Sequence, residues 1–527
     1  MARAFDHIQI DFGDRQLRAR TESIGLAFFW LLVLAYGFFI HSGVNWNTES
    51  HLYTAFSMVD RQTLNIDAYQ RGLGDKSFWH EHYYSDKAPG LAFLAAPIYG
   101  MLRVALSIKD SRFLRYQRKG PDYYVPRDMV YLRFGMTYLL VSLPSAALAV
   151  LLWLFLLRLT SRIGWSLLLA GTYALGTTAY VYSVWYFSHQ LCAVLLFSAF
   201  LLLFYRVRHK PPNRRALLAA GGAGLLAGFS IISEYPTIVI AALLGVYLLV
   251  VTHGKNIQRV LTALAYVAGM VPAAGLNVAY NVAAFGQPFA TGYMNVHSAS
   301  YHSSIQGGVL GLANPLSYGI QAPSLHSLWQ ITFGDYRGLF VFCPVLLLFF
   351  AGVVFMRQRR DLRPEWWLCL VIVLLSFLVD AARGQNSNGW SGGASVTSRH
   401  LVPMLPFMIV PIAFCFRDRA FRVAFVVLAA VSAALMFMAV SATNPFRYAD
   451  KHPLVNELLA NFFHGKLVPN WVSVWTSTLD EAGYSTLLLF FALALCLVGR
   501  LVWLLHAAPH PAQQTRTDHR KAELEAS

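Results

Sequence analysis

The run Ile24-Gly25-Leu26-Ala27-Phe28-Phe29-Trp30-Leu31-Leu32-Val33-Leu34-Ala35-Tyr36-Gly37-Phe38-Phe39-Ile40 carries no charge. As a helix rising ~1.5 Å per residue it covers about 25 Å, the lower end of what a transmembrane helix needs. No small-residue cleavage site follows it, so the reading is an uncleaved signal anchor. Similar runs recur along nearly the whole chain. They account for a composition in which 56% of 527 residues are hydrophobic and only 13% charged. A water-soluble fold has no means of covering that much apolar surface. Spans are expected at 24–40, 131–157, 165–184, 190–205, 216–232, 237–252, 260–280, 338–356, 366–382, 401–416, 423–441 and 485–506. Each must be a helix, because an open strand leaves its backbone unpaired in lipid. The fold class is therefore an all-α polytopic membrane protein of about twelve transmembrane helices.

Lys and Arg outnumber Asp and Glu by 42 to 26, a net charge of +16. The basic residues fall between apolar runs and no basic folded domain is visible, so the excess points to membrane topology and not to nucleic acid. Arg158 and Arg162 form one basic connection. Arg206, Arg208, Lys210, Arg214 and Arg215 form a second, and Lys255 and Arg259 a third. Arg357, Arg359, Arg360 and Arg363 follow, then Arg417, Arg419 and Arg422. All lie on one side of this scheme with the N-tail 1–23, which carries Arg3, Arg15, Arg18 and Arg20. The positive-inside rule makes that side cytoplasmic. The segment Ala88–Ile108 would break the parity if it crossed. Pro89, Gly90, Pro97 and Gly100 suit an interfacial segment better, so it is expected to lie along the outer surface. The single transmembrane domain is then 24–506. Its long connections, 41–130, 281–337, 383–400 and 442–484, are outside, and a polar cytoplasmic C-tail, 507–527, follows. The five cysteines (Cys192, Cys343, Cys369, Cys415, Cys496) lie in apolar runs and read as packing residues.

Chemistry concentrates in the outer connections. Glu49, within Asn45-Trp46-Asn47-Thr48-Glu49-Ser50-His51, sits just past the first span. A carboxylate held there can act as a general base, and partial burial would raise its pKa usefully; the alternative reading of Glu49 is a solvated helix-start acid. Asp67 carries the same two readings, whereas Asp60 reads as a surface partner of Arg61. In Asp86-Lys87-Ala88-Pro89-Gly90 the Lys is either a point charge for a lipid phosphate or a snorkelling surface residue. Lys109, Arg112, Arg115, Arg118, Lys119 and Arg127 run against the positive-inside trend: either the parity fails here, or they contact headgroups, or they form a basic platform for an anionic lipid carrier. His189 and Glu234 lie at outer span ends, where ionisable groups are functional or satisfied structural groups. Arg337 precedes one span. Arg399 and His400, after the glycine-rich Gly389-Trp390-Ser391-Gly392-Gly393, precede another. Arg suits bidentate phosphate binding, but the glycines match no nucleotide loop. The cysteines show no metal-ligand spacing, and no cluster argues strongly for a metal.

Together these features resemble the GT-C class of integral-membrane glycosyltransferases, which includes protein O-mannosyltransferase and lipid A aminoarabinose transferase relatives. The resemblance rests on an acid soon after the first span and a juxtamembrane helix at Ala88–Ile108. It rests also on Ser85-Asp86-Lys87-Ala88-Pro89-Gly90, Ser233-Glu234-Tyr235-Pro236 and Arg399-His400-Leu401-Val402-Pro403-Met404-Leu405-Pro406. It covers roughly residues 24–416. The chain departs from the class in lacking adjacent acids in the first loop, in having His189 where relatives have a second acid, and in lacking a soluble C-terminal domain. The resemblance implies a polyprenyl-phosphate-linked sugar as donor and no other cofactor. The acceptor would be a glycan, lipid or protein hydroxyl, deprotonated by Glu49 or Asp67 and attacking with inversion. Asp86, Lys87, His189, Glu234, Arg337, Arg399 and His400 would line the substrate site. It also implies a bacterial inner membrane, with the site on the periplasmic or extracellular face. The competing readings are a lipid-linked sugar flippase and a non-catalytic envelope-assembly protein. Transporters place ionisable groups at mid-membrane on broken helices, whereas here they lie at span ends.

Overall fold

The computed structural model describes residues 15–43, 45–109, 111–114, 117–119, 122–124, 126–208, 213–294, 322–383, 389–443, 452–475 and 482–506. Arg3, Arg115, Lys210 and the C-tail lie outside the described residues, as do parts of the expected outer connections. The side chains of Arg118 and Lys119 are not described either. The chain is an all-α polytopic membrane protein. Among the described residues the only paired strands are two short hairpins, Ser77–Trp79 with His82–Tyr84 and Gln117–Lys119 with Asp122–Tyr124.

Nine helices among the described residues are long and apolar enough to cross a bilayer. They are Arg18–Gly37, Arg127–Thr160, Ser188–Arg206, Arg214–Ser233, Asn256–Phe285, Arg360–Ala381, Arg399–Arg417, Arg419–Ala442 and Tyr484–His506. The other three expected spans are helical but shorter. The 165–184 segment breaks at Thr177, whose backbone is extended and whose hydroxyl caps the next helix by accepting from Ala179 N. The 338–356 segment breaks at Cys343–Pro344, where proline has no N–H to continue the ladder. The 237–252 segment becomes Tyr235–Val251.

Burial orders the bundle. The Arg399–Arg417 segment is 89% buried and forms its centre, while Asn256–Phe285 and Tyr484–His506 are 17% and 22% buried and form its rim. Those rim helices turn Ile257, Leu264, Val271, Leu488 and Leu495 outward. Such continuous exposed apolar faces suit hydrocarbon. The basic connections meet at one end. Arg162 donates to Phe416 O (2.8 Å), Arg417 to Gln358 Oε1 (3.1 Å), and Arg208 pairs with Glu365.

The Gly90–Ala105 helix is shorter than a crossing. Leu91, Ala95 and Tyr99 pack with Leu52, Tyr53 and Phe56 of the Trp46–Phe56 helix, while Met101 and Val104 stay exposed. Asp60 holds it in place, pairing with Arg103 (2.7 Å) and accepting from Tyr99 Oη (2.7 Å). The expected Asp60–Arg61 pair is thereby replaced: across one turn of helix, Arg103 points at Asp60 from the neighbouring element.

The Arg214–Ser233 and Asn256–Phe285 helices cross at backbone contact. A Cβ on Gly224 would stand 1.8 Å from Tyr266 O. Small residues permit this approach, and in lipid close packing replaces the hydrophobic drive between helices. Gly224→Val is expected to cost about 1–3 kcal/mol by overpacking. A thermal unfolding midpoint in detergent equal to that of the unaltered protein would refute this.

Candidate functional site

The Asp86–Gly90 stretch enters the bundle because Gly90 fits where no larger residue would. A Cβ there would meet Ser233 Oγ at 2.5 Å and the Ile232 carbonyl carbon at 2.8 Å. This docking carries Lys87 to the C-terminal end of the Arg214–Ser233 helix, where Glu234 is the cap residue. Lys87 is buried between two acids, with Nζ 2.9 Å from Asp75 and 3.0 Å from Asp86. Burial works against its ammonium form, but Asp75 and Asp86 outweigh that and hold its pKa above the ordinary value. Two carboxylates share one ammonium, so burial and Asp75 push Asp86 up to about 6 despite Lys87. Ser50 Oγ lies 2.7 Å from Ser85 Oγ and donates weakly to Asp86 (3.5 Å). These contacts tie the loop to the Trp46–Phe56 helix.

Around Lys87 the fold gathers residues from distant elements. His189 begins the Ser188–Arg206 helix, Glu234 follows Arg214–Ser233, and Arg399 and His400 begin Arg399–Arg417. His189 Nε2 lies 3.2 Å from His400 Nδ1 and 3.5 Å from Glu234 Oε1. Ser188 Oγ donates to the same Glu234 oxygen. The charges of Lys87, Arg383 and Arg399 act on all three. A pocket enclosing about 440 Å³ of empty space, open solvent included, lies here, lined by His189, Glu234, Asp380, Arg383 and His400 with apolar walls that include Val239, Ile240 and Val379. His51 also lies in the field of Lys87 and Arg399. Burial first, then those charges, lowers its pKa to about 3, so it is neutral at ordinary pH.

A second cavity, of about 410 Å³, is lined by His41, Asn45, Thr48, Arg133, Trp185, Tyr186 and Phe187. Phe187 joins the two regions: it lines this cavity, and the Arg399 guanidinium lies over its ring at 5.3 Å. Burial, with Arg133, lowers His41 to about 3.

The two first-loop acids have separate fates. Glu49 is buried, and its Oε1 accepts from Arg133 (2.8 Å), which also donates to the His41 and Gly43 carbonyls. Its Oε2 has no hydrogen-bond partner among the described residues. Burial raises the Glu49 pKa against the pull of Arg133. Asp67 instead lies half-exposed on the first hairpin, with both oxygens engaged: Oδ2 with His82 Nδ1 (2.6 Å) and Oδ1 with Tyr83 N (2.7 Å). Asp86, Lys87, His189, Glu234, Arg399 and His400 thus come together. Arg337 is fully buried and donates to the Tyr336 and Gly393 carbonyls, which braces the glycine-rich loop beside them.

Sequence reasoning passed over Arg133, Asp75, Asp380, Arg383 and His51. Asp380 and Arg383 sit at the end of a span, and Arg133 lies inside one, so ionisable groups at membrane depth were the available signal. The His189–Glu234–His400 grouping had no such signal, since its members are far apart in the chain. Two imidazole nitrogens and a carboxylate oxygen, all within 4.8 Å of one another, form a set able to hold a metal ion. No protein-family model matches the chain, and no curated protein is similar to it.

Proposed function

We propose that this chain is a membrane glycosyltransferase. It moves a sugar from a polyprenyl-phosphate carrier to an acceptor hydroxyl, with inversion, on the non-cytoplasmic face of the plasma membrane. The observation that carries this reading is the pairing of two cavities across Phe187 and Arg399. One has apolar walls and a polar end that carries Arg383, with Arg399 next to its lining residue His400, which suits a prenyl chain with a phosphate head. The other has an aromatic and polar lining, which suits an acceptor. Arg399, Arg383 and Lys87 stabilise the charge that develops on the departing phosphate. Glu49 is the better base of the two acids: its buried Oε2 has no hydrogen-bond partner among the described residues and its partner Arg133 lines the second cavity, while both of Asp67's oxygens are committed.

The test is transfer or slow hydrolysis of a polyprenyl-phosphate sugar by the purified chain. Vesicles in which the lipid scrambles without any transfer, and go on doing so in Glu49→Gln, would replace this reading with a flippase. The same assay has an expected pH dependence. The donor is a phosphodiester of fixed charge, and Asp86 competes with it for Lys87. As pH falls through about 6, Asp86 takes up its proton and releases Lys87, so the donor KM should fall severalfold. Asp86→Asn should show the low KM at every pH. A KM that rises as pH falls would contradict the competition.

A further inference from the structure

The His189–Glu234–His400 group has the dimensions of a coordination sphere. A tetrahedral ion ~2.0–2.1 Å from each ligand needs donor atoms roughly 3.3–3.4 Å apart. The two distances from His189 Nε2 are 3.2 Å and 3.5 Å, and the three donor atoms all lie within 4.8 Å of one another. From this geometry we infer that His189, Glu234 and His400 bind one Zn²⁺-like transition-metal ion, with a fourth position open to the 440 Å³ cavity.

Four observations support the site. Two imidazoles and a carboxylate are a donor set found in open catalytic zinc sites, and imidazole selects against Mg²⁺ and Ca²⁺. The ligands come from the ends of three packed helices, so their spacing is fixed by the bundle. Ser188 donates to the ligating carboxylate, the kind of outer hydrogen bond that orients a metal ligand. The group is also poorly satisfied without an ion. His189 Nε2 faces a ring nitrogen and a carboxylate oxygen at once, and its buried Nδ1 has no partner among the described residues. One ring proton cannot serve these three demands.

Electrostatics define the fourth ligand. Lys87, Arg383 and Arg399 surround the group, while Glu234 and Asp380 are the acids lining the cavity. A divalent ion added there favours an anionic fourth ligand over water. A phosphate oxygen has that chemistry, so inorganic phosphate should tighten Zn²⁺ binding. The site itself does not depend on the transferase reading, because metal content is measured without donor or acceptor.

The experiment uses the full chain in detergent, stripped with chelator and reloaded with Zn²⁺ or Co²⁺. One Zn²⁺ per chain by elemental analysis is expected. The Co²⁺ form should show the intense visible bands of four-coordinate cobalt. His400→Ala and Glu234→Gln should each weaken Zn²⁺ binding at least ~100-fold, beyond the ~10–100-fold typical of losing an outer-sphere partner, and Ser188→Ala should stay within that lower range. His452→Ala, at an exposed histidine elsewhere, should change nothing. The inference is overturned if the unaltered chain holds no stoichiometric metal, if Co²⁺ gives only weak octahedral bands, or if the ligand variants keep the ion. Cobalt spectroscopy on the unaltered chain decides the matter should a variant misfold. Loss of transfer with metal retained would count against the transferase reading alone.

Discussion

Glu49→Gln should lower kcat by about 10²–10⁴-fold, the range that general-base catalysis contributes, while Asp67→Asn changes it by no more than severalfold. The asymmetry follows from what each carboxylate touches. Asp67 spends both oxygens on His82 and Tyr83 of its own hairpin and lies half-exposed. Glu49 gives one oxygen to Arg133 and keeps Oε2 without a hydrogen-bond partner. Gln preserves the side-chain shape and removes only the ability to accept a proton. Burial outweighs Arg133 and raises the Glu49 pKa, which fixes a second sign. The base works when ionised, so activity is present at neutral pH and lost as pH falls. The midpoint of that loss should stand above the ~4.3 of an exposed Glu. Single-turnover rates measured with a fixed donor across pH 4–8 would check both points. If Asp67→Asn proved the crippling variant and Glu49→Gln nearly silent, Glu49 would be a structural ion and nothing more.

The long apolar runs and the positions of arginines between them told most of the fold. Hydrophobic length and loop charge are local properties, so a sequence displays them directly. Parity keeps the Gly90–Ala105 helix off the expected crossings, and at 16 residues it is shorter than the nine long apolar helices. The breaks at Thr177 and Cys343–Pro344 were less visible, because a short helix and a long one share the same hydropathy. Most of the candidate site was legible as well: Lys87, His189, Glu234, Arg399 and His400 stood out as polar groups at span ends. What the sequence hid was pairing. Nothing in the string links Glu49 to Arg133, 84 positions on, or Lys87 to Asp75. Asp60 was assigned to its neighbour Arg61 when the fold gives it Arg103. Contacts between helices depend on which face each turns inward, and in a chain this uniformly apolar the pattern that reveals a face is weak.

Removing the partner of Glu49 should hurt stability more than removing its charge. Arg133 is nearly buried and makes three bonds, to Glu49 Oε1 and to the His41 and Gly43 carbonyls. In Arg133→Met the Glu49 carboxylate is left buried and unpaired. Breaking a buried pair in this way costs about 3–5 kcal/mol, because the remaining charge loses its compensation while keeping its desolvation cost. Glu49→Gln keeps two of Arg133's bonds and a neutral acceptor for the third, so its cost should be smaller. The double variant, Glu49→Gln with Arg133→Met, should then recover a substantial part of the Arg133→Met loss, since no charge remains to be stranded. The linkage has a definite sign. In Arg133→Met the pull that favoured the carboxylate is gone, and the Glu49 pKa rises further above its unfolded value. Stability that depends on a raised carboxylate pKa is fully present below the unfolded value and is lost as pH climbs through the folded one. Arg133→Met should therefore be closer to the unaltered protein at pH 4 than at pH 8, and the double variant should show no such slope. Thermal unfolding of the four proteins in one detergent at those two pH values measures every term. If Arg133→Met and the double variant were equally unstable at pH 8, the penalty would lie in the lost carbonyl bonds at His41 and Gly43. The ion pair would then have only the small worth of a solvent-screened contact.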